Sequence, residues 1–485
     1  GMRSSAGRVN YSYDDKYLIE FMLRSDASAK FAPQNYWGMF PSWSAGWVIS
    51  DEKWFDKDKT KIDFLKIRGS FGILGKDNVN AWLWTQLYTR NPDKGPIFGT
   101  NSSTNTSATI RMPKQGVNPD VHWDKTYKTN FGIDMAFLKN RMSANLDFYY
   151  DMGREMFASH QGTSYYPNTV GIQPAPENFG EVDTYGVELS LGWKDKIGKD
   201  MSYWVKLTTG FNDNKIRETG WKAAYDFDKL VRNERSDRGL WGYECIGMFR
   251  SYQEINEYFD KYSITKYLGN TKENVHPGML IYKDVRGQYD ESTGTFGPAD
   301  GIVDEQDYIK ISHRASNPYG GTLNFGFSYK DFSISAQFGA SWGAYSLVPT
   351  TMRKESYSEY SNVSAMWKDM FVYEDIYDAN NIVTVAQNRN AKYPNIRYSS
   401  VNGAPSTFWK VSAATVQLRN MTVAYALPKE WLKIIGISSC RFNLTCQNVF
   451  NFLNPYPEGA WASWAGSYGY YPNLRKFTLG VNVSF

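Results

Sequence analysis

The 485-residue sequence contains little cysteine, little histidine, no long apolar run and no excess of either charge. No stretch approaches the ~18 to 20 uncharged apolar residues of a membrane helix, which excludes a helical membrane protein. Lys plus Arg (54) nearly balances Asp plus Glu (50), which argues against a nucleic-acid-binding protein with a basic surface. The sequence does not exclude a membrane β-barrel. In such a barrel, lipid-facing and water-facing residues alternate, which keeps the mean hydropathy low, here -0.53.

The three cysteines and four histidines predict no disulfide framework and no histidine-based metal centre. Cys440 and Cys446 fall within one predicted strand, where they are separated by roughly 20 Å, too far for a disulfide. The histidines lie far apart in different predicted loops, without paired ligand spacing. Because the sequence also lacks a P-loop and a nucleophile motif, we do not expect an enzyme.

Aromatic residues are abundant instead, with 35 Tyr, 28 Phe and 17 Trp, and many of them alternate with polar residues. The alternation is strictest at the end of the chain, where the apolar set consists of Phe477, Leu479, Val481, Val483 and Phe485. Such a period of two indicates a β-strand with one apolar face. We expect this face to contact lipid, and Asn482 and Ser484 to face the lumen of a barrel.

The connections between predicted strands alternate between short polar turns and long segments. The long connections are expected at about 25–37, 75–124, 153–181, 214–318, 343–407 and 451–473. In an up-and-down sheet this alternation places all long loops at one rim, as in outer-membrane barrels, whereas a soluble sandwich does not explain it. The sequence predicts about 13 strands between these connections. Because such a number closes poorly in lipid, we expect the missing strands upstream of a chain that is part of a longer protein.

Several motifs resemble the SusC/RagA family of TonB-dependent outer-membrane transporters, across essentially the whole chain. They include Gly7-Arg8-Val9-Asn10-Tyr11-Ser12-Tyr13, Trp37-Gly38-Met39-Phe40-Pro41-Ser42, Leu418-Arg419-Asn420-Met421-Thr422, Gln447-Asn448-Val449-Phe450 and the terminal Phe485.

The resemblance implies an all-β fold in which residues 1–485 form the C-terminal portion of a large antiparallel transmembrane β-barrel, 22-stranded in the family and here without its plug domain. It implies an outer-membrane protein that imports oligosaccharides or peptides together with a SusD-like surface lipoprotein, using energy passed by TonB to the missing N-terminal part. The alternative is a surface ligand-binding or adhesion protein without transport activity, and the sequence does not separate a glycan substrate from a peptide.

An acidic segment resembles the second part of an EF-hand loop, which suits calcium or magnesium. Gly301 falls at the sharp turn of that motif. The pattern departs from the motif at Arg286, which cannot bind a cation, and at residues 287–299, which look inserted. The alternative is an acidic, solvated loop. The predicted ligand positions are Asp284, Asp300, Ile302, Asp304 and Asp307.

A second candidate site is an aromatic segment just before the last predicted strand, in a loop expected to be extracellular. Planar aromatic side chains stack on sugar rings and also pack against peptides. The alternative is that these residues pack the loop onto itself. The segment contains Trp461, Trp464, Tyr468, Tyr470 and Tyr471.

Overall fold

Long β-strands account for most of the ordered structure. The computed structural model describes residues 1–91, 109–111, 116–159, 174–220, 232–290, 292–354, 363–434, 436–453, 456 and 474–485. The 13 long strands, labelled β1 to β13, are Met2–Tyr13, Tyr17–Ser28, Trp37–Val48, Ile62–Lys76, Asp124–Phe137, Met142–Ala158, Glu177–Ile197, Met201–Glu218, Tyr319–Tyr329, Phe332–Trp342, Thr415–Ala426, Ser439–Leu453 and Lys476–Ser484.

These strands form one sheet in which they follow one another in chain order, and this confirms the predicted all-β class and up-and-down topology. In β1 and β2, for example, the pairing is antiparallel from Met2 opposite Ser28 to Tyr13 opposite Tyr17. The turns between such pairs are as short as predicted. Asp14 and Asp15 both have positive φ in the first turn, a conformation that short polar side chains tolerate better than most.

The strand β6 is longer than the sequence predicts. The chain was expected to leave the sheet at residue 153, yet β6 continues to Ala158. The pairing with β7 shifts register between Gly153 and Met156, and Glu155 adopts a left-handed φ of 49°. A β-bulge of this kind interrupts the alternation and hides the last part of the strand from a period-two pattern.

The chain divides into two compact units, the first consisting mainly of Gly1–Trp193 and the second mainly of Asp237–Phe485. In the first unit, Phe21 pairs with Val9 and with Trp43 on one exposed apolar face of the sheet. In the second unit, the four apolar residues of the predicted face in β13 and the adjoining Phe485 are 40–91% exposed. They do not fill a core between two sheets, as they would in a soluble sandwich.

The long connections carry further small elements. Short strands pair as Thr89–Asn91 with Thr109–Arg111, Leu240–Gly242 with Ile309–Ser312, Cys245–Met248 with Leu280–Tyr282, Lys266–Tyr267 with Ile302–Val303, Tyr289–Asp290 with Thr295–Phe296, Tyr345–Leu347 with Lys410–Ser412, and Ile376–Tyr377 with Val383–Val385. Among the described residues, the α-helices are Lys57–Thr60, Tyr252–Tyr262, Thr350–Arg353, Ser399–Asn402 and Lys429–Lys433, and the 3-10 helices are Pro33–Asn35, Ile49–Asp51, Lys272–Asn274, Glu305–Asp307, Ala365–Asp369, Ile396–Tyr398 and Thr407–Trp409.

Within the described ranges, none of the helices has the length and apolar character needed to cross a membrane.

Candidate functional site

The second unit contains a hydrophobic core built from two of its long connections, and we call it the loop core. It consists of buried residues between 243 and 303 and between 348 and 409. The longest helix, 252–262, begins after Ser251, whose hydroxyl accepts a backbone N–H three residues on. The helix buries Ile255, Tyr258 and Phe259, whose spacing of three and four places them on one face. The loops are therefore folded around their own core.

Buried tyrosines connect the strands of the loop core. The Tyr267 hydroxyl donates to the Leu280 carbonyl at 2.5 Å and accepts the Tyr282 N–H at 2.8 Å. The Tyr282 hydroxyl donates to the Val401 carbonyl at 2.9 Å. Burial raises the pKa of both phenols, because a charged phenolate is poorly solvated there. These side chains therefore act as neutral hydrogen-bond donors that fix the backbone.

Asn402 joins the two connections of the loop core and is fully buried. Its side-chain oxygen accepts the Leu280 N–H at 2.8 Å, and its amide donates to the carbonyls of Gly278 and Asn395 at 3.0 and 2.8 Å. Its own carbonyl accepts the Trp409 indole N–H at 2.7 Å. A buried amide with all these bonds satisfied holds segments that are more than 120 residues apart in sequence.

At the edge of the loop core lies a cavity of about 610 Å³, which we call the lysine pocket. Tyr393 and Trp409 stack at its floor, with ring centroids 6.3 Å apart and planes 14° apart, and Phe408 meets Trp409 edge-on at 4.7 Å. Its size suits a small ligand or a peptide segment. The lining residues are Val348, Ala365, Met366, Lys368, Asp369, Lys392, Tyr393, Phe408, Trp409, Lys410, Val411 and Tyr456.

Positive charge dominates the polar part of the lysine pocket. Lys410 donates to the Ile311 carbonyl at 2.9 Å and lies 4.1 Å from the centre of the Tyr345 ring. Lys392 lies 5.3 Å from the centre of the Tyr393 ring. In the part of the chain that the structure describes, neither Lys368 nor Lys392 forms an ion pair. Among the described residues, the ammonium groups of Lys368 and Lys392 thus have no carboxylate in ion-pair contact, and the lining holds three lysines against one aspartate.

In the first unit, a polar network lies on β4, β5 and β6. Arg68 contacts Asp134 at 3.0 Å, Asp147 at 2.7 Å and Asn130 at 3.1 Å. Its guanidinium lies over Gly132, where an added Cβ would come within 2.4 Å of it. Since every donor group of Arg68 points to a neighbour on the sheet, the network fixes adjacent strands and leaves little capacity for a ligand.

The predicted aromatic site falls in a segment that the structure does not describe. Its five residues, Trp461, Trp464, Tyr468, Tyr470 and Tyr471, lie outside the described residues. The lysine pocket was not predicted, because its lining residues come from well-separated short segments that share no sequence motif.

The predicted acidic loop is folded by hydrogen bonds. Asp307 is fully buried and accepts the backbone N–H groups of Val285, Arg286 and Asp304 at 2.7 to 3.0 Å. Asp284 accepts the Gly301 N–H at 2.7 Å with one carboxylate oxygen.

Observations on the same loop argue both for and against a metal site. The other carboxylate oxygen of Asp284 is buried without a hydrogen-bond partner, which suits a cation. Burial raises the pKa of Asp284 and of Asp307, so that their charged forms are costly without compensation. Across the described ranges, however, no three acidic, histidine or cysteine residues converge in a metal-binding group. The predicted calcium or magnesium site stays a prediction.

A sheet with an exposed apolar face, short turns and long folded loops defines a large membrane β-barrel portion with elaborate surface loops. No family model matches the chain. Among curated proteins, it is 24% identical over 520 residues to a TonB-dependent receptor of Formosa agariphila, covering 100% of the chain and 46% of that receptor. It is 26% identical over 498 residues to the TonB-dependent receptor SusC of Bacteroides thetaiotaomicron, covering 99% of the chain and 43% of SusC.

Among solved structures, the chain is similar to the RagAB peptide transporter, with a TM-score of 0.70, 19% identity, and coverage of 100% of this chain and 48% of that one. The resemblance to SusC/RagA-type TonB-dependent receptors is thereby confirmed, as are the partial-barrel fold and the outer-membrane localisation. The chain spans about half the length of the curated relatives it matches.

Proposed function

We propose that this chain is the strand-and-loop portion of a TonB-dependent importer of oligosaccharide or peptide nutrients. The observation that carries the proposal is the sheet of 13 strands with alternating short turns and long folded connections, in a chain related to SusC. The partners are a SusD-like lipoprotein over the loops, TonB acting through the part of the protein outside this chain, and outer-membrane lipid. The chain itself has no catalytic role.

The test is nutrient uptake by cells that carry the full-length gene, compared with cells in which that gene or TonB is deleted. Loss of uptake of the same oligosaccharide or peptide in both deletions is the expected result. Purification from native membranes should recover a surface lipoprotein in stoichiometric amount. Ligand binding without uptake, unchanged by loss of TonB, would instead favour the adhesion alternative.

We also propose that the aromatic segment captures substrate between the loops and the lipoprotein. Replacing Trp461 and Trp464 together by alanine should weaken ligand capture by a few kcal/mol at most while barrel assembly stays normal. Trp431→Ala is the matched control, because it removes an exposed tryptophan (62%) from the short helix at a turn. Normal import by the double variant would show that these residues only pack the loop.

A calcium ion in the acidic loop is a further proposal, supported by the unpaired oxygen of Asp284. The full-length protein should then unfold at a higher temperature in millimolar calcium, because an ion that binds only the folded state stabilises it. The effect should disappear in Asp284→Asn and persist in Asp290→Asn, a change at an exposed carboxylate in the inserted segment. An identical unfolding temperature with calcium and with a chelator would reject the site.

A further inference from the structure

The lysine pocket carries a surplus of positive charge that its own carboxylate does not offset. Asp369 is the acidic residue of its lining, and both oxygens of that side chain are engaged. One accepts the Asn388 amide at 3.2 Å and the other accepts the backbone N–H of Lys392 at 3.3 Å. Asp369 therefore shapes the rim of the pocket, and the ammonium groups around it attract an anion.

The remaining wall is apolar. Its accessible part is formed by the half-buried Phe408 and Val411, with the buried Val348 and Met366 behind them in the lining. The ring faces of Tyr393 and Trp409 are almost covered, with exposures of 8% and 1%, so they offer no open platform for stacking a sugar. The charged groups of the lining are three lysines and one carboxylate, a set that suits an anion better than a neutral sugar, whose hydroxyl groups need acceptors as well as donors. The wall suits an aliphatic or aromatic side chain.

The position of this wall is fixed by a buried arginine. Arg353 donates to the Val348 carbonyl at 2.6 Å and to the Gly403 carbonyl at 2.5 Å, which ties one side of the pocket to the loop core. Gly403 has no space for a side chain, since an added Cβ would lie 2.7 Å from the Ser399 carbonyl oxygen. The pocket is thus preformed by the packing of the loops, which lowers the entropic cost of binding.

We propose that the lysine pocket binds an acidic peptide segment, with an apolar side chain against the wall and a neighbouring carboxylate between Lys368 and Lys392. The inference deepens the proposed import function and rests on it, because it selects peptide as the substrate class. Lys410 also belongs to the lining, and its ammonium group, which donates to the Ile311 carbonyl and lies over the Tyr345 ring, adds to the positive charge of this region.

The test uses the full-length protein purified from outer membranes in detergent. The probe is a fluorescein-labelled peptide of alternating leucine and glutamate, and its binding is followed by fluorescence anisotropy. Peptides with lysine in place of glutamate, or serine in place of leucine, should bind at least about tenfold more weakly, because each loses one of the two complementary features. Tighter binding of an oligosaccharide of uronic acids than of the leucine–glutamate peptide would overturn the peptide assignment.

The variant Lys368→Gln with Lys392→Gln should weaken binding of the leucine–glutamate peptide about tenfold and reduce its salt dependence. Lys429→Gln with Lys433→Gln is the matched control, because it removes the same two charges from exposed lysines outside the pocket. Lys392→Arg should keep most of the affinity, since the positive charge remains. Equal affinities of the double variant and the control would reject the pocket as the binding site.

The outcomes separate this inference from the proposed function. Failure of the peptide to bind, while TonB-dependent uptake of another nutrient persists, overturns the pocket and leaves import intact. Peptide binding that depends on Lys368 and Lys392, in cells that show no TonB-dependent uptake, supports the pocket and overturns import.

Discussion

At the scale of single residues, the Asn402 side chain holds the two connections of the loop core together by hydrogen bonds. Replacing it by alanine should destabilise the loop core by about 1–3 kcal/mol, because the buried Leu280 N–H loses its acceptor, while the carbonyls of Gly278 and Asn395 each lose one of their two donors. Hydrogen exchange of residues 278–282 and 395–409 measures this effect. Asn380→Ala, at an exposed position, is the control. Equal protection in the two variants would contradict the role of Asn402.

Cys245 provides a pH-dependent prediction. Burial raises the pKa of its thiol to about 11, so little thiolate exists at pH 8. Alkylation by iodoacetamide in the folded protein should be roughly a hundredfold slower than in the urea-unfolded protein. A raised folded-state pKa contributes stability that is present below the ordinary thiol pKa and is lost as the pH rises towards 11. Similar alkylation rates in both states would show that the thiol is accessible.

At the scale of elements, the face of β13 is the most direct test of the membrane interpretation. Leu479 belongs to the exposed apolar face and Asn482 to the opposite one. Leu479→Arg should cost about 2–4 kcal/mol if the side chain meets the bilayer centre, and Asn482→Arg should be tolerated in an aqueous lumen. The yield of heat-resistant barrel in the outer membrane measures the difference. Tolerance of both changes would argue that neither face meets lipid.

The elements also show where sequence-based prediction succeeds. Alternation predicted β13, because a strand with different environments on its two faces repeats every two residues. It failed at the end of β6, where the bulge near Glu155 breaks the repeat. It could not find the lysine pocket, because Lys368, Lys392 and Phe408 are brought together only by tertiary packing.

At the scale of the whole molecule, the long connections and the short turns should lie on opposite sides of the outer membrane. In intact cells, a membrane-impermeant maleimide should label Asn380→Cys, in a long connection, and should not label Lys199→Cys, in a short turn. Both positions are exposed, so labelling of both in permeabilised cells confirms that each thiol is reactive. Labelling of Lys199→Cys in intact cells would reverse the orientation.

The long-range pairing within the loop core also constrains the order in which the chain folds. The Tyr243 N–H donates to the Pro405 carbonyl, and the Cys245 N–H donates to the Thr407 hydroxyl across 162 residues of sequence. A contact over such a distance forms slowly, because a large loop must close before any stabilising interaction is gained. The first connection must therefore wait, with its tyrosines uncovered, until β9, β10 and the second connection have been exported. During that interval we expect the exposed apolar surface of the first connection to make the unfinished protein prone to aggregation.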